Sequence, residues 1–273
     1  MNLILILKAI VIAIVEGITE FIPISSTGHM IIVGDLINFK GSFANLFEVV
    51  IQLGAILAIL VLYWDKIFSS IKGFFTGKSW GIKFWTNIFV ACIPIGILGF
   101  VFEDLIDKYL FNSLTVAIGL IIGGILLLIA ESKFKKSLNT IDVDNITTKQ
   151  ALKVGIFQCL ALWPGMSRAS STIIGGWVSG ISTVAATEFS FFLAIPAMIG
   201  ASGVKLIKYG GNLLVGEIIT LAIGFIVAFI VALIVVDKFI NYLKKKPMKV
   251  FAVYRIIVGL VLFLLLYMNI ISM

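Results

Sequence analysis

Charge is scarce in this sequence: Asp, Glu, Lys and Arg make up 13% of its 273 residues, against 60% for hydrophobic types. A soluble globular domain carries about 25% charged residues. Together with a mean hydropathy of +1.16, the shortage excludes that class. The short alternating segments of an outer-membrane barrel are missing too. Cysteine occurs only at Cys92 and Cys159, in apolar helical stretches without C-x-x-C or metal-ligand spacing, so both read as small buried hydrophobes. There is no P-loop, and no carboxylate–histidine–serine spacing of a hydrolase elbow. The first apolar stretch is interrupted by Glu16 and has no small-residue cleavage site after it, so it is not expected to be a cleavable signal.

The remaining class is an all-α, polytopic integral membrane protein, read as one membrane domain over residues 1–273. Crossing the hydrocarbon core takes about 20 helical residues. Six stretches meet that length, at about 44–63, 84–103, 114–131, 185–205, 217–237 and 250–271. Two regions fall short. After Pro23 the segment from His29 to Asn38 gives only ~15 Å of helix. Leu152 to Trp163 is also short, and the R-A-S-S-T-I-I-G-G-W-V-S-G that follows Ser167 is too small and polar to face lipid. Both regions are expected to be re-entrant helix–loop–helix hairpins, because irregular backbone at membrane depth is tolerated only inside protein or around a cavity.

The net charge of +7 would suggest nucleic-acid affinity in a soluble protein. Here the lysines cluster between spans, the pattern of cytoplasmic loops, so bilayer lipids and no nucleic acid are the expected partners. Loop 64–83 carries Lys66, Lys72, Lys78 and Lys83; loop 132–153 carries Lys133, Lys135, Lys136, Lys149 and Lys153; loop 238–249 carries Lys238, Lys244, Lys245, Lys246 and Lys249. Loop 103–113 instead holds Glu103, Asp104 and Asp107 against Lys108. With the basic loops inside, the first hairpin enters from outside and the second from inside, and Lys205 and Lys208 fall outside.

Opposite entry is the mark of an inverted repeat. Pro23-Ile24-Ser25-Ser26 parallels Pro164-Gly165-Met166-Ser167, and Glu48 with Leu53-Gly54-Ala55 parallels Glu188 with Leu193-Ala194-Ile195. The halves cover about 1–135 and 150–273, around a cytoplasmic linker at about 132–152. Such repeats bring broken helices together near the midplane, so the hairpin tips should meet. Glu48, Gln52 and Glu188 are expected to pack or hydrogen-bond at the hairpin flanks. Tyr254 and Arg255 are expected to anchor the last span at its cytoplasmic end.

Glu16 and Glu20, four residues apart, project from one helix face. Two like charges in low dielectric need a proton or a cation between them, and Mg²⁺ or Ca²⁺ would be the natural neutraliser. Ser25, Ser26, Thr27 and Gly28 precede a half-helix opened by His29. Free N–H groups there, with a hydroxyl, suit an anion, and His29 suits general acid–base work. At the second tip Arg168 is read as the deepest cation. With Ser167, Ser170, Ser171 and Thr172 it is expected to cradle phosphate. A carboxylate pair, a hydroxyl, an imidazole and a guanidinium facing one membrane cavity suit displacement at phosphorus on a lipid substrate.

E-G-I-T-E-F-I-P-I-S-S-T-G-H-M at Glu16–Met30 and L-W-P-G-M-S-R-A-S-S-T at Leu162–Thr172 resemble the signature motifs of the bacterial undecaprenyl-diphosphate phosphatases of the bacitracin-resistance type. F-E-V-V-I-Q-L-G-A-I-L-A at Phe47–Ala58 and E-F-S-F at Glu188–Phe191 are similar too. The chain departs from the family at Ala169, where serine is frequent. The resemblance implies hydrolysis of undecaprenyl diphosphate to undecaprenyl phosphate and inorganic phosphate, recycling a cell-wall lipid carrier. It also implies bacitracin resistance, a divalent-metal requirement, and a plasma-membrane site opening to the extracytoplasmic side. By motif position, Glu16 and Glu20 would hold metal or position water. Ser26 and His29 would form the nucleophile and base centre, and Ser167, Arg168 and Thr172 would hold the diphosphate, helped by Ser25, Thr27 and Gly165. The attacking atom stays open between Ser26, His29 and a metal-activated water. A homodimer is compatible with the sequence. The alternative is a secondary transporter or flippase of a polyprenyl phosphate, since inverted repeats with broken helices are also transporter architecture.

Overall fold

A computed structural model describes residues 3–135, 139–209 and 213–271. Lys136 and the side chains of Asp107, Lys205 and Lys208, all used in placing the loops, lie outside the described residues.

Each hairpin is a helix broken at a proline-bearing turn: α1 (Leu3–Thr19) and α2 (Ser26–Leu36), then α7 (Thr148–Gln158) and α8 (Arg168–Val178). Between and after them run α3 (Ser42–Leu62), α4 (Trp64–Phe75), α5 (Ser79–Tyr109), α6 (Ser113–Phe134), α9 (Thr183–Tyr209), α10 (Val215–Leu243) and α11 (Lys249–Tyr267). Among the described residues six helices, α3, α5, α6, α9, α10 and α11, are long and apolar enough to cross a membrane. They are the six expected. No strand is assigned among those residues, and the isolated bridge Thr140–Ile181 ties the linker to the end of the second hairpin.

Two loops turn out to be helical. The basic segment after residue 63 forms α4, whose Trp64, Phe68 and Phe75 are exposed while Ile67, Ser70 and Gly73 are buried. The acidic segment after residue 103 continues α5 to Tyr109. Lysines and acids spaced along a helix face read as loop charge, because composition carries no sign of where a helix bends along a membrane surface.

The packing has the exchange pattern of a two-fold repeat. The first hairpin's α1 lies on α10, and the second hairpin's α7 lies on α5, the corresponding span of the other half. Contacts of α3 with α9 and of α6 with α11 join equivalent elements across the centre. Three spans separate the hairpins, an odd number, so the second turns back from the opposite side to the first.

Close approach at the centre depends on small residues. A Cβ on Gly119 of α6 would lie 2.4 Å from the Pro164 carbonyl oxygen, and Gly165 (φ 95°) sits 2.5 Å by the same measure from the Val116 oxygen. Trp163 Nε1 donates to the Thr115 carbonyl at 2.9 Å. The second tip is thereby pinned to α6. Gly119→Ala should force the tip off this helix and cost about 1–3 kcal/mol, read as a lower unfolding midpoint in detergent. Gly96→Ala, where nothing lies within 4 Å of the added methyl, should not lower that midpoint.

Candidate functional site

Both tips end in a serine held in the left-handed region. Ser25 (φ 74°) caps α2 and accepts from Gly28 N at 3.4 Å. Ser167 (φ 67°) caps α8 and accepts from Ser170 N at 3.3 Å. The corresponding next bonds, His29 N to Ser25 O and Ser171 N to Ser167 O, are 3.2 and 3.0 Å long. The structural repeat therefore pairs Ser25 with Ser167, not Ser26 with Ser167 as the proline alignment suggests. The second tip has one more residue between its proline and its cap. The first half-helix also begins at Ser26, three residues before the expected start at His29.

In this corrected register Ser26 and Arg168 are equivalent first residues of the two half-helices. They meet on one carboxylate. Ser26 Oγ donates to Glu20 Oε2 at 2.5 Å, and Arg168 donates to Glu20 Oε1 at 2.7 Å. Glu20, on the first hairpin, is thus an ion-pair partner of Arg168 on the second. Ser190 fixes the other guanidinium nitrogen, accepting at its carbonyl (2.8 Å) and at Oγ (3.1 Å).

Above this contact opens a cavity of about 170 Å³ lined by Glu20, Ser25, Ser26, Thr27, Gln52, Gly165, Ser167 and Arg168, with Ala161, Trp163, Pro164, Ala197 and Met198 as its apolar wall. Two helix N-termini converge on it, which suits an anion. Ser25, Ser26, Thr27, Gly165, Ser167, Arg168 and Glu20 are brought together as expected.

Four expectations change. Thr172 is fully buried; its hydroxyl donates to the Arg168 carbonyl at 2.9 Å and meets Ser190 Oγ at 2.8 Å. It supports Arg168 from behind and does not reach the cavity. Ser170 and Ser171 are buried as well. His29 is turned away from Ser26. Its Nδ1 lies 2.7 Å from the Ser25 carbonyl oxygen, and Nε2 lies 2.9 Å from Tyr254 Oη, the two rings stacked at 5.6 Å. A carbonyl only accepts, so Nδ1 carries the proton and Nε2 takes the tyrosine hydroxyl. The proton acceptor beside Ser26 is Glu20.

Arg255 is the fourth. It is fully buried and reaches the carbonyl oxygens of Gly165 (2.9 Å), Met166 (2.8 Å), Pro23 (3.4 Å) and Gly119 (3.5 Å). A cation read as an interfacial anchor therefore joins both tips to α6 and α11, and it lies deeper than Arg168. Gly123 leaves the space for its guanidinium. The signal was present, since an ionisable residue inside an apolar span is functional by default, but its position near the span's start favoured an anchor. Ser190, inside the E-F-S-F stretch, carried no comparable signal.

Glu16 is buried to 0% exposure, and neither carboxylate oxygen has a hydrogen-bond partner. Gln158, at the same separation from Glu16 as Ser167 from Ser25, is likewise fully buried with both amide atoms unpartnered. Glu188 takes the Tyr63 hydroxyl at 3.4 Å, a flank role as expected, and Gln52 reaches the cavity itself.

Replacing Arg255 by leucine would strand several turn carbonyls without a donor. Arg255→Leu should cost on the order of 3 kcal/mol, visible as a lowered unfolding midpoint of the purified protein in detergent.

Residues 9–261 match the family described as bacitracin resistance protein BacA. An undecaprenyl-diphosphatase of Clostridium tetani is 58% identical over 270 residues, covering 99% of this chain and 100% of the relative. Undecaprenyl-diphosphatase 2 of Clostridioides difficile is 56% identical over 281 residues, covering 100% and 99%. One of Clostridium perfringens is 54% identical over 297 residues, covering 98% of each. With family and relatives matched over nearly the whole length, and both tip motifs inside the matched span, this chain belongs to the bacitracin resistance protein BacA family.

Proposed function

We propose that this protein hydrolyses undecaprenyl diphosphate to undecaprenyl phosphate and inorganic phosphate, returning a lipid carrier to cell-wall synthesis. Bacitracin resistance follows, because the antibiotic sequesters the substrate. The names of the relatives support the substrate. The observation that carries the chemistry is the shared carboxylate: Glu20 accepts from Ser26 at 2.5 Å and pairs with Arg168 at 2.7 Å, on a cavity flanked by two helix N-termini.

The terminal phosphate lies against Arg168 and the N–H groups after Ser25 and Ser167. These donors neutralise oxygens whose charge shifts in the transition state. Glu20 takes the Ser26 proton as Oγ attacks the terminal phosphorus, and the bond to the bridging oxygen breaks, releasing the polyprenyl phosphate. Glu20 passes that proton to solvent; water then attacks the phosphoserine with Glu20 as base again, and the Ser26 Oγ–phosphorus bond breaks, Oγ regaining a proton as inorganic phosphate leaves. His29, its nitrogens held by Ser25 and Tyr254, orients the first half-helix.

Glu16 and Glu20 fit a divalent cation. Two buried Glu16 oxygens without partners are a donor set in want of a positive charge, and Glu20 stands one turn away with lone pairs left on both oxygens. Among the described residues no group of three or more His, Cys, Asp and Glu could hold a metal, so water and substrate phosphate would complete the coordination. When bound, the cation supplies positive charge against the phosphate oxygens.

The lysine-rich loops support a plasma-membrane orientation with the cavity open to the extracytoplasmic side. A flippase shares the repeat architecture, but moving a lipid does not require a proton acceptor hydrogen-bonded to a hydroxyl.

Phosphate release from undecaprenyl diphosphate by purified protein in detergent tests the reading; its absence, with lipid movement in vesicles, would replace it with the flippase. Glu20→Gln and Arg168→Ala should each lower kcat by roughly 100–1000-fold while the protein stays folded. Ser26→Ala should abolish the radiolabelled phosphoenzyme trapped by acid quench, and a phosphoenzyme surviving in that variant would exclude serine attack. Chelation of divalent cations should stop turnover, with recovery on adding Mg²⁺ or Ca²⁺.

A further inference from the structure

The peptide that opens each half-helix is held twice by its own carbonyl. Ser25 O accepts from His29 N at 3.2 Å and lies 2.7 Å from His29 Nδ1. Ser167 O accepts from Ser171 N at 3.0 Å and from Ser171 Oγ at 2.8 Å. His29 and Ser171 each stand four residues after the cap serine. A serine hydroxyl returning to the carbonyl four residues back is ordinary in a helix. Its counterpart in the other repeat is an imidazole, so two chemically unrelated side chains make the same bond at equivalent positions.

Each of these peptides leads out of a strained residue, Ser25 (φ 74°) or Ser167 (φ 67°). In a trans peptide the N–H points opposite to the C=O. With its carbonyl drawn along the helix, the peptide aims the next N–H, of Ser26 or of Arg168, out of the helix start. The first N–H groups of a helix have no partner within it, and Ser26 and Arg168 both line the reaction cavity. Rotation of either peptide would exchange its two groups and turn a carbonyl oxygen toward a bound phosphate, which it would repel. Relief of strain at the cap would favour such a rotation, and the second bond to the carbonyl opposes it.

The histidine bond has a further support. His29 Nε2 lies 2.9 Å from Tyr254 Oη, with the two rings at 4° to one another. The tyrosine hydroxyl donates to Nε2 and so keeps the ring proton on Nδ1, the nitrogen beside the Ser25 carbonyl. We infer that His29 and Ser171 are paired positioning residues, which aim the Ser26 and Arg168 N–H groups at one phosphate, and that Tyr254 sets the proton on which His29 depends. The inference rests on the phosphatase reading and assigns what holds the backbone donors of that site. Neither side chain exchanges a proton with the substrate. The two N–H groups come from opposite hairpins, so they grip the phosphate from both sides as charge shifts among its oxygens.

His29→Ala and His29→Ser leave nearly the same space beside Tyr254 and differ by one oxygen, so any loss of stability is common to both. Serine, placed as Ser171 is, can renew the bond to the Ser25 carbonyl. His29→Ala should lower kcat/KM for undecaprenyl diphosphate by about 100-fold, and His29→Ser should regain about ten-fold of that. Ser171→Ala, which removes a single oxygen and reads the same device without a large void, should lose about ten-fold. In each variant the inhibition constant of orthovanadate, a mimic of phosphorus in displacement, should rise as kcat/KM falls. Tyr254→Phe should cost a few-fold in the wild-type background and nothing further in His29→Ser. The assignment is overturned by His29→Ser no better than His29→Ala, by an acid limb of the pH profile that vanishes with the histidine, or by an unchanged orthovanadate constant. Full activity in Ser171→Ala would overturn it as well. Wild-type protein that releases no phosphate would instead sink the phosphatase reading, and this inference with it.

Discussion

A helix that stops inside a membrane leaves backbone N–H and C=O groups that lipid cannot satisfy, and this chain stops two helices there. Everything at the centre follows from satisfying those ends. Arg255 supplies the answer for the carbonyls, spreading one guanidinium over Pro23, Gly165, Met166 and Gly119. Ser25 and Ser167 answer for the first free N–H groups by capping, each in a left-handed conformation that turns the chain sharply into its half-helix. A non-glycine residue in that region is strained, and the same strain at equivalent positions of both tips is a reason to regard it as part of the site. The N–H groups that the caps leave over are the ones available to an anion.

The clamp is also what lets the chemistry be divided between the halves. Ser26 and Arg168 stand at the same place in their repeats, yet one is a hydroxyl and the other a guanidinium. Glu20 has no carboxylate equivalent, since Leu162 occupies the related position of the second hairpin. The contact is therefore built from unlike halves, a guanidinium and a hydroxyl brought to a common carboxylate.

Around that centre the repeat is less regular than its topology. The seam of α3 and α10 closes on Gly54 and Gly224, while the seam of α5 and α9 parts beyond two prolines.

The amino-acid sequence by itself determined the class, the six spans and the two short interruptions, because hydrophobic length is a local property that the bilayer thickness tests directly. It also singled out the candidate residues: ionisable groups inside apolar stretches are so few that Glu16, Glu20, His29 and Arg168 could hardly be overlooked. Tertiary structure decided which of them meet. Glu20 and Arg168 lie on different hairpins, and no spacing announces that their side chains share an ion pair, or that Thr172 faces away from the cavity while Ser190 supports the arginine. It likewise decided that His29 turns to Tyr254 and that Arg255 points inward to the tips. The half-turn by which a side chain faces core, cavity or lipid depends on helix rotation. That rotation is fixed by close packing at glycines such as Gly119 and Gly123, not by any residue's own identity.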